Sequence, residues 1–302
     1  MLKIVGVFLC ASIVFASQRI QYEEPAHIAS SNHFSFIVWN VGQGLWTTLV
    51  DDSRCYHFDM GGERAPWPAI LRLCRDKENI LSFSHWDWDH IRFARDAGLK
   101  FPKICVLNPP AGEPPEKRKG FFDQIKHCAQ PNIEQGDTGR DTQSFTRAFP
   151  GAFSRPSIRE LVSDPPPDRF QKYAKKTANE VSRVFVIEKT ILAPGDSPQK
   201  AEKYWAPQLA VHQINQTPDQ NRIRILVLGH HGSRTSTSAA LLSRLPHLNA
   251  AIVSARKKKY GHPHAEVVAR LRDKKIPMLL TEEWGSLHFQ MKQEPPVTAA
   301  HH

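Results

Sequence analysis

The sequence has no long hydrophobic run downstream of its N-terminus, and this absence excludes a protein with many membrane spans. Its longest apolar stretch, residues 4–16, is shorter than the roughly 20 residues that a transmembrane helix needs. The sequence has no CxxC pair, so its cysteines do not match a zinc ribbon, and no internal repeat is visible. The chain of 302 residues is 40% hydrophobic, which is typical of a folded protein with a substantial core.

Acidic residues are outnumbered by basic ones. Thirty Asp and Glu face 40 Lys and Arg, which gives a net charge of +10 with the 15 His neutral. This surplus favours an acidic partner, such as nucleic acid or an anionic membrane surface. The alternative is a surface that like charges keep soluble. Composition alone does not separate the two interpretations.

The first residues have the order of a secretory signal peptide. Lys3 precedes the apolar stretch, and Val14-Phe15-Ala16 places small residues where a signal peptidase cleaves. We predict cleavage after Ala16, export to the periplasm or the medium, and one mature domain over residues 17–302. The alternative is an uncleaved membrane anchor.

The mature chain keeps an even number of cysteines. Once Cys10 leaves with the signal peptide, Cys55, Cys74, Cys105 and Cys128 remain. An exported protein can pair these four in three ways. We expect a structural role for them, bridged or buried, rather than a chemical one.

Short apolar strands and amphipathic helices alternate along most of the chain, which predicts an α/β fold. The first three strands are typical of an antiparallel meander, and apolar residues at helical spacing between Trp67 and Cys74 predict a helix. The proline-rich stretch 108–178 breaks the pattern and is predicted to be an irregular insertion. Further helices are predicted around residues 239–245 and 267–271. The predicted strands are 34–39, 47–50, 55–59, 80–84, 103–107, 183–188, 190–193, 223–228, 250–254 and 278–281.

Side chains that bind metals are concentrated directly after one predicted strand, in His85-Trp86-Asp87-Trp88-Asp89-His90. Because side chains alternate in an extended segment, His85 and Asp87 can face one point while Asp89 and His90 reach a second. Imidazole and carboxylate ligands suit Zn²⁺ or Mn²⁺, and the lack of thiolates argues against a structural zinc. The alternative is a solvated turn, which the two bulky tryptophans disfavour.

Three further loops rich in His or Asp follow predicted strands. They are Pro194-Gly195-Asp196, Gly229-His230-His231-Gly232-Ser233 and Tyr260-Gly261-His262-Pro263-His264. Chemistry in sheet proteins gathers at strand ends, where loops from distant parts of the chain meet. Together the four loops predict a metal site.

In this order and spacing, the motifs resemble the metallo-β-lactamase-like domain of the ComEC-type DNA-uptake competence proteins. The resemblance covers most of the mature chain outside residues 108–178. It implies an αβ/βα sandwich, two mixed β-sheets flanked by helices, with a two-metal site at one edge. Because the membrane-spanning part of such proteins has no counterpart here, we expect a freestanding exported domain. The motifs that carry the resemblance are Val41-Gly42-Gln43-Gly44, Asp59 with Gly61-Gly62, His85 to His90, Asn179 with Ser182, Gly195-Asp196, His230 to Ser233 with Thr235-Ser236, and Tyr260 to His264.

The resemblance also implies ligands for two divalent ions, Zn²⁺ or Mn²⁺, with Mg²⁺ as a further option. His85 and Asp87 would serve one ion, Asp89 and His90 the other, and Asp196 would bridge the two. The remaining predicted ligands are His230 and His262.

Two residues are predicted to be catalytic. His231 would lie near the scissile group as an acid or a transition-state stabiliser, and Asp89 would act beside it. The sequence leaves open which of the adjacent His230 and His231 turns inward.

The chain departs from the usual pattern of this family at several positions. Leu45 replaces the acid that usually ends Gly-Gln-Gly-Asp, Arg92-Phe93 replaces Gly-Gly after the Ile that follows Asp-His, and Lys258 replaces an Asn. An additional ligand His that many two-metal members carry has no clear counterpart, so a less obvious ligand such as His127 is expected to take its place. No departure removes a ligand of the first motif.

Charge placement favours nucleic acid as the substrate. The segment from Arg222 to Lys275 carries a net charge equal to the whole surplus of +10, and the basic run 256–259 directly precedes Gly261-His262. Such a cluster can hold phosphates without regard to base sequence. The residues predicted to bind phosphate or nucleic acid are Ser233, Arg234, Thr235, Arg256, Lys257, Lys258, Lys259 and His264.

The sequence therefore predicts an exported metal-dependent phosphodiesterase that cuts DNA, and RNA as a further substrate, with little sequence preference. One alternative is a hydrolase of lactams, lactones or thioesters. The other is a nucleic-acid-binding module with a degenerate site.

Overall fold

The computed structural model describes residues 14–15, 18–21, 33–129, 158–161, 177–211 and 223–292. Most of the predicted signal peptide lies outside the described residues, as do the C-terminal tail and most of the stretch 130–176. Cleavage after Ala16 and the single mature domain therefore stay predictions. Within the described parts, no helix combines the length and the apolar character needed to cross a bilayer.

Fourteen strands and nine α-helices are described. The strands are β1 Val14–Phe15, β2 Gln18–Gln21, β3 His33–Val38, β4 Trp46–Val50, β5 Arg54–Met60, β6 Glu78–Ser82, β7 Ile104–Asn108, β8 Ile158–Leu161, β9 Val184–Ile187, β10 Ile191–Ala193, β11 Ile225–Val227, β12 Ala250–Val253, β13 Met278–Leu280 and β14 Leu287–Lys292. The helices are α1 Trp67–Cys74, α2 Trp88–Ile91, α3 Ala94–Lys100, α4 Gln199–Trp205, α5 Gln208–Val211, α6 Ala239–Ser243, α7 Lys257–Tyr260, α8 Ala265–Asp273 and α9 Thr281–Trp284.

The strands form two mixed sheets. One has the order β1-β2-β14-β3-β4-β5-β6-β7, and the other has the order β13-β12-β11-β10-β9-β8. The predicted meander of β3, β4 and β5 is confirmed as antiparallel, and β6 and β7 continue the sheet in parallel. In the second sheet, β10 to β13 are parallel neighbours.

Three hydrophobic clusters show how the layers stack. The middle cluster joins the facing sides of the two sheets, as where the rings of Phe58 and Phe185 lie 5.1 Å apart. A second cluster packs α1 to α3 on the outer face of the first sheet, and a third packs α4, α6 and α8 on the outer face of the second. In β3, Phe36 faces the middle cluster and Ile37 faces the helices, as the period of two requires. The chain thus has the predicted αβ/βα sandwich of the metallo-β-lactamase fold.

The four mature cysteines form two disulfides, which confirms their structural role and selects one of the three pairings. Cys55 of β5 is bonded to Cys74 at the end of α1, and Cys105 of β7 is bonded to Cys128. The second bond fixes the end of a loop that leaves β7 and returns beside it, where Val106 bridges His127.

The prediction that residues 108–178 form an irregular insertion is wrong in part. Residues Ile158–Leu161 form β8, which pairs antiparallel with β9 and makes one edge of the second sheet. The four-residue strand is embedded in a stretch whose composition favours loops. The sequence also hides β14, which pairs with β3 over six residues.

Candidate metal centre

The metal-binding motifs meet at one edge of the sandwich, where four strands end. β6 leads into His85 and then α2, β10 leads into Asp196, β11 leads into a 3₁₀ turn over Gly229–Gly232, and β12 leads into Ser254. Because β10, β11 and β12 are adjacent and parallel, their carboxyl ends open at the same edge of the sheet. The structure therefore brings together loops that are more than a hundred residues apart in sequence.

Three histidines direct the same ring atom into one small volume. His90 Nε2 lies 3.0 Å from Asp196 Oδ1 and 3.3 Å from His231 Nε2. His231 Nε2 lies 3.1 Å from Asp89 Oδ2, and His85 Nε2 lies 3.8 Å from Asp196 Oδ2. All three rings are buried, as is the Asp196 carboxylate between them.

Two of these rings are oriented from behind by one hydrogen-bonded unit. Asp59 Oδ2 accepts a hydrogen bond from His90 Nδ1 at 2.7 Å and another from the Ser84 hydroxyl at 2.8 Å. Because that hydroxyl gives its only proton to Asp59, its oxygen can only accept from His85 Nδ1, 2.9 Å away. Asp59 and Ser84 thus fix both rings of the first motif.

The third ring is oriented by the backbone. His231 Nδ1 donates to the carbonyl oxygen of Ser254 at 3.0 Å. With all three rings donating from Nδ1, each neutral imidazole presents the lone pair of Nε2 to the shared volume. This is the tautomer that a metal-binding histidine needs.

Acceptor atoms without donors show that the residues fit a metal ion. His85 Nε2 is buried without a hydrogen-bond partner, although Asp87 Oδ2 lies only 3.4 Å away, and Asp196 Oδ1 is buried without a partner of hydrogen-bonding geometry. Buried lone pairs that face carboxylates repel unless a cation lies between them. At this edge, two groups offer ligand atoms within 4.8 Å of one another. They are His85 with His90 and Asp196, and Asp89 with His90 and His231.

The charges of the site stabilise one another. Burial raises the pKa of Asp196, but His90 and His231 outweigh burial and hold this pKa well below its ordinary value. Burial lowers the pKa of His90, but Asp196 and Asp59 outweigh burial and raise it well above the usual range. The nearby ring of His85 lowers the pKa of Asp87. The carboxylates are therefore ionised, and they favour a proton on His90 that a bound metal ion would displace.

The turn that carries the histidine pair is strained. His230 and His231 have φ values of 50° and 54°, in the left-handed region that side chains with a Cβ disfavour. The surrounding contacts hold this conformation, since His230 N donates to the carbonyl oxygen of Gly195 at 3.0 Å.

Close packing of two backbone segments also explains why residue 61 is a glycine. A Cβ at Gly61 would lie 2.0 Å from the carbonyl carbon and oxygen of Asp89.

His230 and His262 lie at the rim rather than in the centre. His230 Nε2 is 3.7 Å from Asp196 Oδ2 and 3.4 Å from Asn179 Nδ2, and its ring stacks on His262 at 6.3 Å. The Nδ1 atoms of both rings are buried without partners, and burial lowers the pKa of both. Sequence reasoning left open which of His230 and His231 turns inward, and the structure places His231 in the centre.

Most of this chain is similar to part of two known proteins. The chain is 32% identical over 265 residues to Recombination protein 2 of Haemophilus influenzae, which covers 84% of this chain and 28% of that protein. It is 28% identical over 262 residues to Competence protein ComA of Neisseria gonorrhoeae, covering 85% of this chain and 32% of that one. Over a shorter stretch of 68 residues, it is 32% identical to ComE operon protein 3 of Bacillus subtilis. The chain contains a ComEC-type metallo-β-lactamase-fold domain. It spans about a third of the length of the Haemophilus and Neisseria proteins.

No protein-family model matches the chain. Among solved structures, it is similar to a diphosphatase of the PhnP family, with a TM-score of 0.44 and 12% identity over 86% of this chain and 99% of that one. It is also similar to the metallo-β-lactamase fold protein YhfI from Bacillus subtilis, with a TM-score of 0.46 and 10% identity over 82% and 96% of the two chains.

Two departures of this ComEC-type domain from the family pattern, Leu45 and Phe93, are accommodated by packing. Leu45 is buried in the core between the sheets, and its backbone N donates to Asp89 O at 3.0 Å. Phe93 packs against Trp46, with ring centroids 6.1 Å apart. His127 is exposed and belongs to neither ligand group, so the expectation that it replaces a missing ligand finds no support.

The residues predicted to bind phosphate beside the histidine pair differ in exposure. Arg234 and Thr235 are exposed, whereas Ser233 is buried with its hydroxyl 3.1 Å from that of Thr235. His264 caps α8, because its Nδ1 accepts a hydrogen bond from Glu266 N at 3.3 Å. A structural role thus accounts for His264, and its binding of nucleic acid stays a prediction.

The basic run lies on a short helix attached to the site. Arg256 N donates to Gln43 Oε1 at 3.2 Å. Two residues after Gln43, the backbone N of Leu45 donates to the carbonyl oxygen of Asp89. Glu63 accepts hydrogen bonds from Arg256 at 3.1 Å and Lys259 at 2.7 Å. Burial opposes ionisation of Glu63, but Lys259, Gln43 N and Arg256 outweigh it and lower its pKa to about 2. Sequence reasoning missed this internal counter-charge.

Sequence reasoning also missed the residues that orient the ligands. Asp59 carried part of the resemblance without a role, and Ser84 and Ser254 had none. A signal existed for Asp59, since an acid at the end of a buried strand and before two glycines is unusual. Ser254 acts through its backbone, which side-chain identity does not reveal.

Proposed function

We propose that this domain is an exported metal-dependent phosphodiesterase that hydrolyses DNA, and RNA as a further substrate, with little sequence preference. One observation carries the proposal. Strand β12 leads into Ser254, whose carbonyl orients His231, and two residues later the basic run 256–259 begins. The same strand end thus supports the candidate metal centre and a surface for a phosphate backbone.

In this proposal the chain holds two divalent ions. His85, Asp87 and Asp196 would bind one, and Asp89, His90 and His231 the other, with Asp196 facing both. A pair of bound ions supplies an activated water and stabilises developing negative charge on the phosphate. The residues of the chain itself orient the ligands through Asp59, Ser84 and Ser254.

The proposed role of His231 differs from the expectation of an acid near the scissile group. Its Nδ1 is engaged by Ser254, and its Nε2 faces Asp89 and His90, so a ligand role fits the geometry better. His230 and His262 stand at the rim with buried Nδ1 atoms that have no partner. In this proposal the two rings would contact the bound phosphate from the rim.

The charges that would bind the backbone are not all free. Arg256 and Lys259 share Glu63, whereas Lys257 and Lys258 are exposed on α7. Binding through these cations is independent of base sequence and weakens as salt rises. An acyl hydrolase would gain nothing from this surface, which is why the phosphodiester is the proposed substrate.

Two disulfides support the proposed export. Bonds such as Cys55–Cys74 and Cys105–Cys128 persist in oxidising compartments, including the periplasm and the extracellular medium. The signal-like N-terminus and the relatives named for competence agree with a protein of the cell envelope or beyond.

Cleavage assays on the purified protein test the proposal. Plasmid and single-stranded DNA are incubated with Mn²⁺, Mg²⁺ or Zn²⁺, with and without EDTA, and compared with Asp196→Ala. Asp52→Ala, at an exposed position in the turn between β4 and β5, is the matched control. We expect metal-dependent cleavage that Asp196→Ala abolishes and Asp52→Ala keeps. Intact DNA with every metal, together with turnover of a lactone or thioester, would refute it, and binding without turnover would favour a degenerate site.

A further inference from the structure

The two tryptophans of the first metal-binding motif have different environments. Trp86 is 8% exposed and donates from Nε1 to the carbonyl oxygen of Gly112 at 3.0 Å, so it belongs to the core. Trp88 is 46% exposed, although it lies between Asp87 and Asp89. About half of the Trp88 side chain is thus open to solvent beside the candidate active site, where a ligand can contact it.

The ring of Trp88 is held by a helix and by a buried aromatic neighbour. It opens α2 and meets the buried Phe121 edge to face, with ring centroids 5.7 Å apart. Arg95 fixes Phe121 in turn, with its guanidinium 4.6 Å from the ring centroid and Nε donating to the Phe121 carbonyl at 3.2 Å. The partly exposed ring of Trp88 is therefore preorganised, so a ligand can contact it at low entropic cost.

A cation accompanies this ring. The guanidinium of Arg118 lies 5.9 Å from the centroid of Trp88 and 3.8 Å from Asp87 Oδ1. Arg118 is the middle residue of the basic cluster 117–119, which the phosphate-binding surface on α7 does not include. The disulfide Cys105–Cys128 anchors the loop that carries both Arg118 and Phe121.

We propose that Trp88, Phe121 and Arg118 form a platform on which one unpaired base of a single-stranded nucleic acid stacks, next to the phosphate to be cleaved. This proposal of a Trp88 platform rests on the proposed function, and it adds a binding position for a base beside the cleaved phosphate. Stacking on Trp88 would fix the nucleotide beside Asp87 and Asp89, and Arg118 would neutralise the adjacent phosphate. Every base has a flat face, so this contact favours unpaired strands without selecting a sequence.

Binding without metal tests the platform separately from catalysis. Fluorescence anisotropy in EDTA measures the affinity of the purified protein for a labelled oligothymidylate and for an abasic oligomer of equal length. Trp88→Ala is expected to weaken oligothymidylate binding about fivefold to hundredfold, with an unchanged salt slope, because stacking carries no net charge. Its affinity for the abasic oligomer should change by less than about twofold, because that ligand has no base to lose.

Two further variants make the result specific. Trp88→Phe keeps a ring and should restore much of the affinity for oligothymidylate. Tyr204→Ala, on α4 and also 46% exposed, is the control for removing an exposed aromatic side chain.

Each contrary outcome is distinct. An equal loss for both oligomers would show that Trp88 only supports the local fold, and no loss for either would show that bases do not touch it. Either result overturns the platform while metal-dependent cleavage of DNA by the wild type leaves the proposed function standing. If the wild type binds neither oligomer and cleaves no DNA, both proposals fail together.

Discussion

Asp59→Asn is the sharpest test of how the candidate metal centre is built. The carboxylate of Asp59 accepts four hydrogen bonds from three donor groups, namely Ser84 N, the Ser84 hydroxyl and His90 Nδ1. An asparagine keeps the shape but replaces one oxygen with an NH₂ group that can only donate. Placed at Oδ2, the NH₂ faces His90 Nδ1, and placed at Oδ1, it faces the backbone N–H of Ser84. Either orientation therefore sets two donors against each other in a buried site.

Two costs follow from that conflict. A buried donor without an acceptor costs about 1–3 kcal/mol in the free energy of unfolding. If His90 escapes the conflict by moving its proton to Nε2, it loses the lone pair that faces Asp196 and His231. Loss of such an orienting partner typically weakens metal binding about tenfold to hundredfold, which corresponds to about 1.4–2.7 kcal/mol.

Calorimetric titration with Zn²⁺ and Mn²⁺ measures this loss, and thermal unfolding in EDTA separates it from the loss of stability. Asp51→Asn is the matched control, because Asp51 Oδ1 also accepts from backbone N–H groups, those of Ser53 and Arg54, but in an exposed turn. The control should bind metal as the wild type does. If Asp59→Asn folds and binds metal within about twofold of the wild type, Asp59 does not set the tautomer of His90, and the reasoning fails.

Three further predictions follow from the same contacts. Burial lowers the pKa of His57 to about 4, below the 6.5 of the unfolded chain, so the stability is fully present above pH 6.5 and falls by about 3 kcal/mol towards pH 4. Urea unfolding at both pH values measures this loss, and His57→Gln should reduce the pH dependence. Replacing both Cys105 and Cys128 by Ser opens a loop with a sequence separation of 23 and should cost about 3 kcal/mol of stability, measured by urea unfolding, and should also weaken binding of oligothymidylate. Glu63→Gln frees Arg256 and Lys259, so single-stranded DNA should bind more tightly at low salt, and the slope of log affinity against log salt concentration should steepen by about 1.4. Weaker binding would instead show that Glu63 positions α7.

Most of the fold follows from local pattern. Strands such as β3 and β12 are buried on both sides and appear as short apolar runs between turn residues, so their positions are predicted within one or two residues. β14 is missed although Leu287, Phe289 and Met291 alternate with polar residues, because six residues near a polar tail resemble an extended end. β8 is missed because its pairing with β9 is a tertiary contact that the composition of residues 108–178 does not suggest.

The candidate site is predictable where side-chain identity carries the information. Ligand types and strand-end positions indicate His85, His90 and Asp196, and these residues do meet. The inward turn of His231 is not predictable, because it depends on a left-handed backbone at two adjacent residues and on the carbonyl oxygen of Ser254. The counter-charge of Glu63 is not predictable either, because 193 residues separate Glu63 from Arg256 and only the fold brings them together.

Glu63 changes what the net charge of +10 means for binding. Counted along the sequence, the run 256–259 offers four cations beside the metal centre. In the fold, two of them share one carboxylate, and that carboxylate also accepts from the Tyr260 hydroxyl at 3.1 Å and from Gln43 N at 3.3 Å. A strand that binds here must either use Lys257 and Lys258 alone or compete with Glu63 for the other two. Such competition would lower the affinity for backbone phosphates, as the release of a cleaved polymer in the proposed function requires.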